Sequence, residues 1–479
     1  MTDWKDKRVI VIGAARQGVA LGRFLASRGA RVVMNDRKTL EQLEAVKQSL
    51  DEQVGIHAAH IEWFLGSHPL SLLEGADVLC VSGGVPLDLE LIQEARAAGI
   101  PLTNDSQIFL EECPCRTIGI TGSAGKTTTT SLVGKIAASY INAPGKQPIY
   151  QKVWVGGNIG SPLLAIVDEM DANDLAVIEL SSFQLELITK NVNIACVLNI
   201  TPNHLDRHAT MAAYIAAKSR ILENQTNMDI AVLGSDDSGS WALTERVQGK
   251  LYSFGREKPA KELPGGYIEG EWMCLWDGRE VTPVLRQVEI PLRGWHNVEN
   301  VLAALTISQA AGLPVKAMRE AIIAFSGVPH RLEWVSSWKG ADWYNDSIAT
   351  APERVMAAIH AFDTPADVQR PIILLAGGRD KNLPWDDLAD LIHARVEHLV
   401  LFGEATGKIK EAVGKRQGGS HLTVDVCNGL EQAVNMAGKV VEAGDIVLLS
   451  PGGTSFDEFR DFEDRGEAFK RWVLNLSCK

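Results

Sequence analysis

The sequence predicts an α/β protein in which buried parallel strands alternate with helices. Apolar, strand-like runs at residues 9–12, 117–120 and 445–449 each lead into a glycine-containing turn. A helical pattern follows the first two turns, which is the strand–turn–helix order of α/β folds. With 479 residues, the chain is long enough for roughly two to four domains.

Charge and apolar patterning exclude some classes of protein. The chain has 47 basic and 60 acidic residues, a net charge of −13, which argues against sequence-independent binding of nucleic acid. The amino-terminal residues contain no apolar signal core, and no apolar run is long enough to span a membrane. We therefore expect a cytoplasmic protein, and a monomer because no long heptad pattern appears.

The cysteines do not form a recognisable metal or disulfide pattern. Seven are scattered through the chain, and only Cys113 and Cys115 lie close together. Their C-P-C spacing differs from the C-x-x-C of zinc and redox motifs, so we expect reduced thiols.

The first unit resembles a dinucleotide-binding βαβ unit. The strand at 9–12 ends in Gly13, a helical pattern follows Gly18, and a second strand at 31–34 precedes Asp36. Ala15 replaces the middle glycine of G-x-G-x-x-G, so the backbone cannot approach a pyrophosphate as closely. A nicotinamide cofactor, a nucleotide sugar and a purely structural Rossmann-like unit all remain open from these residues.

Residues 121–128 form the most informative stretch. They read T-G-S-A-G-K-T-T between a strand and a helix, the layout of a phosphate-binding loop. Ile120 stands where the full pattern has its first glycine, so the loop is the shorter G-x-x-G-K-T. The alternative is an ordinary glycine turn before a helix.

Several polar residues in the middle of the chain are candidates for a magnesium shell. Glu179 ends the strand at 175–179, and a neighbouring strand supplies such a carboxylate in phosphate-loop folds. His204 belongs to a histidine-rich loop after the strand at 194–200. Lys218 lies within a predicted helix at 211–223, and composition alone predicts a surface lysine.

The rest of the chain contains short strands and then a third α/β unit. Residues 230–292 suggest short strands and turns, and residues 371–376, 398–403 and 445–449 suggest a third Rossmann-like unit. Asn297 and Asn300 lie three apart at the start of a predicted helix, so they share a face, unless one is merely an N-cap.

Taken together, these motifs resemble the Mur ligases of peptidoglycan precursor synthesis. Besides the phosphate loop, the matching motifs are G-N-I-G at 157–160, E-L-S-S-F-Q-L-E at 179–186, H-L-D-R at 204–207, H-N-x-x-N at 296–300, H-R at 330–331 and N-D-S at 345–347. The run at 179–186 and the ending S-P-x-x-x-S-x-D-x-F-x-x-F-x-x-R-G at 450–466 are similar to the glutamate-adding member.

The resemblance implies three domains and a reaction. Residues 1–112 would be a Rossmann-like domain that binds a UDP-sugar, 113–327 a central ATP-binding domain with a parallel sheet and extra β structure, and 328–479 a Rossmann-like domain that binds glutamate and closes over the site. ATP would phosphorylate the carboxylate of UDP-N-acetylmuramoyl-L-alanine, and the amine of glutamate would attack the acyl phosphate. Such an enzyme would need no nucleic acid and no membrane insertion.

The resemblance also assigns residues to ATP and to two Mg²⁺ sites. The catalytic residues would be Lys126, Asn158, Glu179, His204 and Lys218, with Lys218 carbamylated. The metal ligands would be Thr127, Glu179, His204 and the Lys218 carbamate. The residues expected to bind ATP are Ser123, Ala124, Gly125, Lys126, Thr127, Thr128, Thr129, Asn297, Asn300, Arg331 and Asp346.

The two other substrates are assigned in the same way. The residues expected to bind the UDP-substrate are Gly13, Arg16, Gln17, Gly18, Asp36, Arg37, Ser82, Gly83, Gly84, Asn158, Ser181 and Gln184. The positions expected to hold the incoming glutamate are Thr350, Lys381, Ser455 and Phe462.

One residue departs from the family pattern. N-D-S-K-A-T reads N-D-S-I-A-T here, so Ile348 replaces a lysine near the reacting groups. A related subgroup that attaches L-glutamate also resembles this chain, so both D- and L-glutamate remain open. Two alternatives belong to other classes of protein. A nicotinamide-dependent oxidoreductase would explain only the first βαβ unit. A regulator that has lost catalysis would not need the candidate phosphate-binding and metal-binding residues.

Overall fold

Three β-sheets of five, nine and six strands organise the computed structural model of the chain. The structure describes residues 3–144, 147–202, 205–208, 210–260, 262–292, 294–363, 367–381, 383–415 and 422–476, with only the backbone of 205 and 206. Contacts divide these residues into two units, one formed by residues up to 290 with 296–324 and the other by 291–295 with the residues from 325 onward.

The first sheet is entirely parallel and has the strand order β3-β2-β1-β4-β5. Its elements are β1 (Arg8–Ile12), α1 (Arg16–Ser27), β2 (Arg31–Asp36), α2 (Leu40–Val54), β3 (Ile61–Leu65), β4 (Val78–Val81), α3 (Glu90–Ala97), β5 (Leu102–Thr103) and α4 (Asp105–Glu112). The strand order reverses between β1 and β4. Ligands of open α/β sheets bind at such a switch point, beyond the carboxyl ends of the strands.

The second sheet is parallel through seven strands and ends in an antiparallel extension, in the order β14-β13-β12-β11-β10-β9-β6-β8-β7. Its elements are β6 (Arg116–Thr121), α5 (Lys126–Ile141), β7 (Val153–Gly157), β8 (Leu175–Glu179), α6 (Ser182–Leu185), β9 (Ile194–Val197), α7 (Leu205–His208), α8 (Met211–Glu223), β10 (Ile230–Gly234), α9 (Ser238–Trp241), β11 (Lys250–Phe254), β12 (Gly265–Glu269), β13 (Trp272–Trp276), β14 (Val281–Arg286), α10 (Trp295–Ala310) and α11 (Val315–Ile323). The predicted extra β structure is this antiparallel extension.

The third sheet belongs to the second unit and has the order β15-β16-β20-β17-β18-β19, antiparallel only between β15 and β16. Its elements are β15 (Glu333–Trp338), β16 (Ala341–Asn345), α12 (Pro352–His360), β17 (Ile372–Gly377), α13 (Asp386–Arg395), β18 (Val396–Phe402), α14 (Thr406–Gly414), β19 (Thr423–Val426), α15 (Leu430–Val440), β20 (Ile446–Gly452) and α16 (Phe462–Leu476).

The central strands of each sheet are apolar because helices cover both of their faces. Every residue of β8, β10, β17 and β20 is buried. The predicted α/β class with three sheet-based parts is therefore confirmed. Among the described residues, no helix is both long enough and apolar enough to cross a membrane.

Candidate active site

The phosphate loop connects β6 to α5 at the centre of the second sheet. Gly125 has a φ of +81°, and a Cβ built there would lie 2.1 Å from Asn300 Oδ1. A Cβ on Gly122 would lie 2.9 Å from that of Leu198. Glycine is therefore required at 125 by both conformation and space and at 122 by space, whereas Ile120 is part of the buried strand.

Residues that follow the neighbouring strand β9 hold the phosphate loop in place through hydrogen bonds. Asn199, just beyond β9, accepts a hydrogen bond from Ala124 N through Oδ1 at 2.8 Å and from Ser123 N through its carbonyl at 2.9 Å. The Ser123 hydroxyl donates to Thr201 O at 2.9 Å. The backbone is thus pre-arranged to receive an anion at the start of α5. Asn199 was not among the predicted site residues.

Two lysines meet at one carbonyl of this loop. Lys126 Nζ lies 2.9 Å and Lys218 Nζ 2.8 Å from Gly122 O. Lys218 is only 1% exposed, so the interpretation as a surface lysine is wrong. Burial, reinforced by the Lys126 charge and opposed by Glu179, lowers the pKa of Lys218 to about 6. Its amine is therefore mostly uncharged at neutral pH.

Glu179 brings a buried carboxylate to the same place. It lies at the end of β8, which pairs with β6 so that Glu179 is opposite Ile120. Asn158 Nδ2 donates to Oε1 at 2.9 Å, while Oε2 is buried and has no hydrogen-bond partner among the described residues. Thr127 is half-buried and is the second residue of α5, directly after the phosphate loop and Lys126. An unpartnered buried carboxylate oxygen beside a phosphate loop suits a divalent cation.

The described residues alone do not form a complete metal site. They contain no group of three or more His, Cys, Asp or Glu side chains placed to hold a metal ion. Of the four predicted metal ligands, His204 lies outside the described residues, and Thr127 and unmodified Lys218 are of other types.

Asn297 and Asn300 share one face of α10, as predicted. Asn300 Nδ2 donates to Asn297 Oδ1 at 3.0 Å, and the Thr129 hydroxyl donates to Asn300 Oδ1 at 3.5 Å. Thr128, the neighbour of Thr129 in sequence, is buried in the first turn of α5. The helix that follows the phosphate loop is thereby connected to the start of α10.

The turns at the carboxyl ends of β1, β2 and β4 converge at the switch point of the first sheet. Asp36 accepts a hydrogen bond from Ala14 N at 2.8 Å, and Gln17 Oε1 accepts one from Gly83 N at 2.9 Å. Gly13 has a φ of +90°, and a Cβ there would lie 2.9 Å from that of Ser82. The structure therefore brings these predicted UDP-substrate residues together.

The remaining residues of this group lie around the same turns. A Cβ on Gly18 would lie 1.7 Å from Gly13 O, so α1 packs directly on the first turn. Arg16 Nη1 donates to Gly160 O at 3.5 Å, which connects the first sheet to the loop after β7. Arg37 is exposed beyond β2, and Gly84 O accepts from Arg207 at 3.5 Å.

Ser181 and Gln184 have internal roles in this conformation. They form a capping box at the start of α6, and Gln184 Nε2 also donates to Ser106 Oγ at 2.8 Å. Gln184 is fully buried, and both its Oε1 and its Nε2 have partners within the chain. Their assignment as substrate ligands stays a prediction, and the Gln184 contact with Ser106 joins α6 to α4.

In the second unit, Asp346 and its neighbours follow β16. Asp346 Oδ2 accepts a hydrogen bond from Ser450 Oγ at 2.8 Å. Burial raises the pKa of Asp346 to about 7, although this hydrogen bond and the charge of Arg331 oppose the rise. Lys381 Nζ donates to Thr350 Oγ1 at 3.3 Å, so these two predicted glutamate residues are together.

The two other predicted glutamate residues lie near the same sheet. Ser455 is buried just after β20, where its carbonyl accepts from Glu458 N at 3.1 Å and Phe459 N at 2.8 Å. Phe462 begins α16, and its ring packs edge-on against His330 at 6.1 Å.

Arg465 is a structural residue that the sequence reasoning did not single out. It is fully buried, and its guanidinium donates to Ser347 Oγ at 3.0 Å, Ser347 O at 2.8 Å and Gly453 O at 3.1 Å. It therefore fixes the turn after β16 against the turn after β20. The R-G in the final motif was its one signal.

The phosphate loop at the centre of the second sheet, the buried carboxylate beside it and the two further α/β parts define a multidomain α/β protein with a candidate site for nucleotide phosphates. Family models identify the class as a ligase. The Mur ligase MurD-like N-terminal domain matches residues 7–104, the Mur ligase middle domain 120–308, and the Mur ligase glutamate ligase domain 330–453. The chain belongs to the Mur ligase family, whose members make peptidoglycan precursors.

Individual relatives cover the whole chain. A UDP-N-acetylmuramoylalanine–D-glutamate ligase from Symbiobacterium thermophilum is 38% identical over 98% of this chain and 99% of its own length. One of the same name from Clostridium tetani is 37% identical over 98% and 97%. The MurF ligase of Thermotoga maritima, solved in complex with ADP, has a TM-score of 0.53 at 14% identity over 98% and 96%, which shows a shared fold. Because the matches span all three parts, a nicotinamide oxidoreductase is excluded.

Proposed function

We propose that the chain joins D-glutamate to UDP-N-acetylmuramoyl-L-alanine with ATP, through an acyl phosphate. The observation that carries the reaction type is the phosphate loop whose Gly122 carbonyl meets both Lys126 and Lys218. The choice of substrates rests on full-length similarity to D-glutamate ligases. Because such a reaction uses ATP and a UDP-linked precursor, we assign it to the cytoplasm, and we expect a monomer.

The proposed chemistry explains why a phosphate loop is needed. A carboxylate is a poor acyl donor, and phosphorylation supplies it with a leaving group. Transfer of the γ-phosphoryl requires neutralisation of charge on its oxygens, which the loop N–H groups and Lys126 supply. Lys126 contacts loop carbonyls in this structure, and we expect its ammonium to move onto the phosphates when ATP binds.

We further propose that the site holds two Mg²⁺ ions. Glu179 offers its unpartnered Oε2, Asn158 fixes the other oxygen, and Thr127 contributes a hydroxyl. Bound Mg²⁺ would neutralise phosphate charge. We propose that the neutral amine of Lys218 reacts with CO₂ to give a carbamate and a proton, so that the side chain becomes an anionic oxygen ligand. The buried, uncharged amine supports this step. His204 would complete the shell.

We further propose where the substrates bind and where the domains divide. The UDP group would occupy the turns that converge beyond β1, β2 and β4. Adenine would contact Asn297 and Asn300, with Arg331 and Asp346 assisting from the closing domain. Glutamate would bind at Thr350, Lys381, Ser455 and Phe462. The boundaries would lie near residues 112 and 327, which agrees with the gaps between the three family matches.

One observation favours a second candidate. Ile348 replaces the family lysine, and the subgroup that attaches L-glutamate also resembles this chain. That enzyme would use the same phosphate loop and metal residues, so it differs only in the stereochemistry of the incoming amino acid.

The proposal is tested by following ADP release and the origin of the phosphate oxygens. We expect ADP release from UDP-N-acetylmuramoyl-L-alanine to require glutamate. With a heavy-oxygen-labelled substrate carboxylate, the released phosphate should carry one labelled oxygen. Equal ADP release without any amino acid would contradict a ligase, and no turnover at all would indicate a regulator that has lost catalysis.

A further inference from the structure

A pair of cysteine thiols lies at the join between α4 and β6. Cys113 follows the last residue of α4, Cys115 precedes the first residue of β6, and Pro114 separates them. Cys113 Sγ lies 3.5 Å from Cys115 Sγ and 3.8 Å from the Cys115 carbonyl oxygen. A disulfide bond is about 2.0 Å long, so the two sulfur atoms need to approach by only about 1.5 Å to form one.

The two thiols differ in their access to solvent and in their acidity. Cys113 is half-buried, whereas Cys115 is only 7% exposed. The hydrogen bond between the thiols lowers the pKa of Cys113, although burial and the Asp174 charge oppose this effect. The same hydrogen bond, together with burial, raises the pKa of Cys115. Cys113 is therefore the thiol that ionises first, and the thiolate is the reactive form of a cysteine.

The other described cysteines are less suited to react. Cys80, Cys196, Cys274 and Cys427 are all buried, and burial raises the pKa of each thiol. Buried thiols of raised pKa are inert because they neither ionise nor meet a reagent in solution. Among the cysteines that the structure describes, a partly accessible thiol of lowered pKa therefore occurs only at position 113.

A bond between the two sulfur atoms would connect elements that lead to the candidate active site. Cys113 N donates to Phe109 O at 2.8 Å, where α4 ends. Arg116, the residue after Cys115, begins the pairing of β6 with β8, and β6 leads directly into the phosphate loop. A disulfide would therefore fix the end of α4 against the start of the strand that carries this loop.

We propose that Cys113 and Cys115 are a modification site at which hydrogen peroxide forms a reversible disulfide. The Cys113 thiolate attacks one peroxide oxygen, the O–O bond breaks, and Cys113 becomes a sulfenic acid while hydroxide leaves and takes up a proton. The Cys115 sulfur then attacks the Cys113 sulfur, the S–O bond breaks, and the hydroxyl group leaves with the Cys115 proton as water. Two thiols are thus oxidised, and one peroxide is reduced to two waters.

The disulfide should also be easy to reduce. The loop that it closes contains only residues 113–115, so the cross-link restricts the unfolded chain little and adds little stability. A dithiol such as dithiothreitol should therefore reopen it by thiol–disulfide exchange. This modification goes beyond the proposed function and does not depend on it.

Peptide mapping of the full-length protein after peroxide treatment tests the disulfide. The treated protein is unfolded, its free thiols are blocked with iodoacetamide, and the peptide that contains residues 113 and 115 is weighed by mass spectrometry. We expect this peptide to lose two hydrogen atoms and to carry no alkyl group, and to gain an alkyl group on each cysteine if dithiothreitol is added first. Cys274→Ser, which removes a buried thiol of the same unit, is the matched control and should behave as the wild type.

A second variant separates the two chemical steps. In Cys115→Ser, the oxidation should stop at the sulfenic acid of Cys113, which dimedone labels. Because neither readout involves ligation, failure here is distinct from failure of the proposed function. Full alkylation of both thiols in the peroxide-treated wild type would overturn the inference. A sulfinic acid at Cys113 beside an alkylated Cys115, or a disulfide from either residue to another cysteine, would overturn it as well.

Discussion

At the scale of single residues, Lys218 brings an uncharged amine to the phosphate loop. A buried ammonium beside Lys126 would face both desolvation and repulsion, and the lowered pKa of Lys218 relieves both. Above about pH 6 the amine is free to react with CO₂. The resulting carbamate would give the neutral side chain a negative charge, which the neighbouring Lys126 ammonium would attract.

Replacement of Lys218 tests this role. Lys218→Ala should lose most ligase activity, and added bicarbonate should restore part of it, because a small anion can occupy the place of the carbamate. Incorporation of isotopically labelled bicarbonate into the wild type, followed by NMR, provides an independent readout. Lys190→Ala, which removes an exposed lysine of the same unit, is the control. Wild-type turnover in Lys218→Ala would show that the residue has no part in catalysis.

We expect the buried carboxylate of Glu179 to lower the stability of the fold although catalysis requires it. Its Oε2 is buried without a partner, so replacing the carboxylate by an amide removes an unsatisfied charge. We expect Glu179→Gln to raise the free energy of unfolding by up to about 1 kcal/mol while lowering kcat about 100-fold or more. Thermal unfolding and Mg²⁺ titration of activity measure the two effects, with exposed Glu169→Gln as control. A variant that is destabilised yet fully active would contradict this account.

At the scale of elements, α4 begins with a buried acid at the join between the first two sheets. Asp105 Oδ1 has no hydrogen-bond partner among the described residues, and burial raises the pKa of Asp105 to about 7. Hydrogen bonds from Ser106 and Gln184 only partly oppose this. Between the ordinary carboxyl pKa and about 7, the folded chain holds a proton that the unfolded chain releases. Stability therefore falls as pH rises through this window.

Asp105→Asn should remove that pH dependence. At about pH 8 the variant should be more stable than the wild type by at least about 1 kcal/mol, since a tenfold change in proton affinity is worth about 1.4 kcal/mol. Below about pH 3 the difference should disappear, because the wild-type carboxyl is then mostly protonated in both the folded and the unfolded state. Melting curves across this range measure it, with exposed Asp88→Asn as control. If the two proteins differed in stability by the same amount at every pH, the cause would be packing and not the ionisation of Asp105.

The sequence predicted these elements better than the directions of their side chains. Helix α8 was predicted with its observed bounds, yet its many alanines give no clear apolar stripe, so Lys218 could not be assigned to the buried face. Strand β7 was missed because it is an edge strand whose first three residues are only partly covered. Helix α4, at residues 105–112, was not predicted because its apolar stripe is very weak.

At the scale of the whole molecule, the glycine turns and strand order locate the sites. Within the first sheet, the predicted ligand turns follow parallel strands, and these turns converge because the carboxyl ends of those strands share one edge. Contacts between residues that are far apart in sequence could not be predicted. Arg465 donates hydrogen bonds to the turn after β16 and to the turn after β20, each more than ten residues away in sequence. Sequence reasoning also expects arginine at the surface, because a fully buried arginine is rare.

Supplying D- and L-glutamate separately to the enzyme, with ATP and UDP-N-acetylmuramoyl-L-alanine, tests the central claim most directly. We expect ADP release and formation of the UDP-linked dipeptide product with D-glutamate, and neither with L-glutamate. Turnover with L-glutamate alone would identify the chain as the L-glutamate-adding enzyme of the same fold. ADP release that ignores both amino acids would contradict the account of the phosphate loop as part of a ligase.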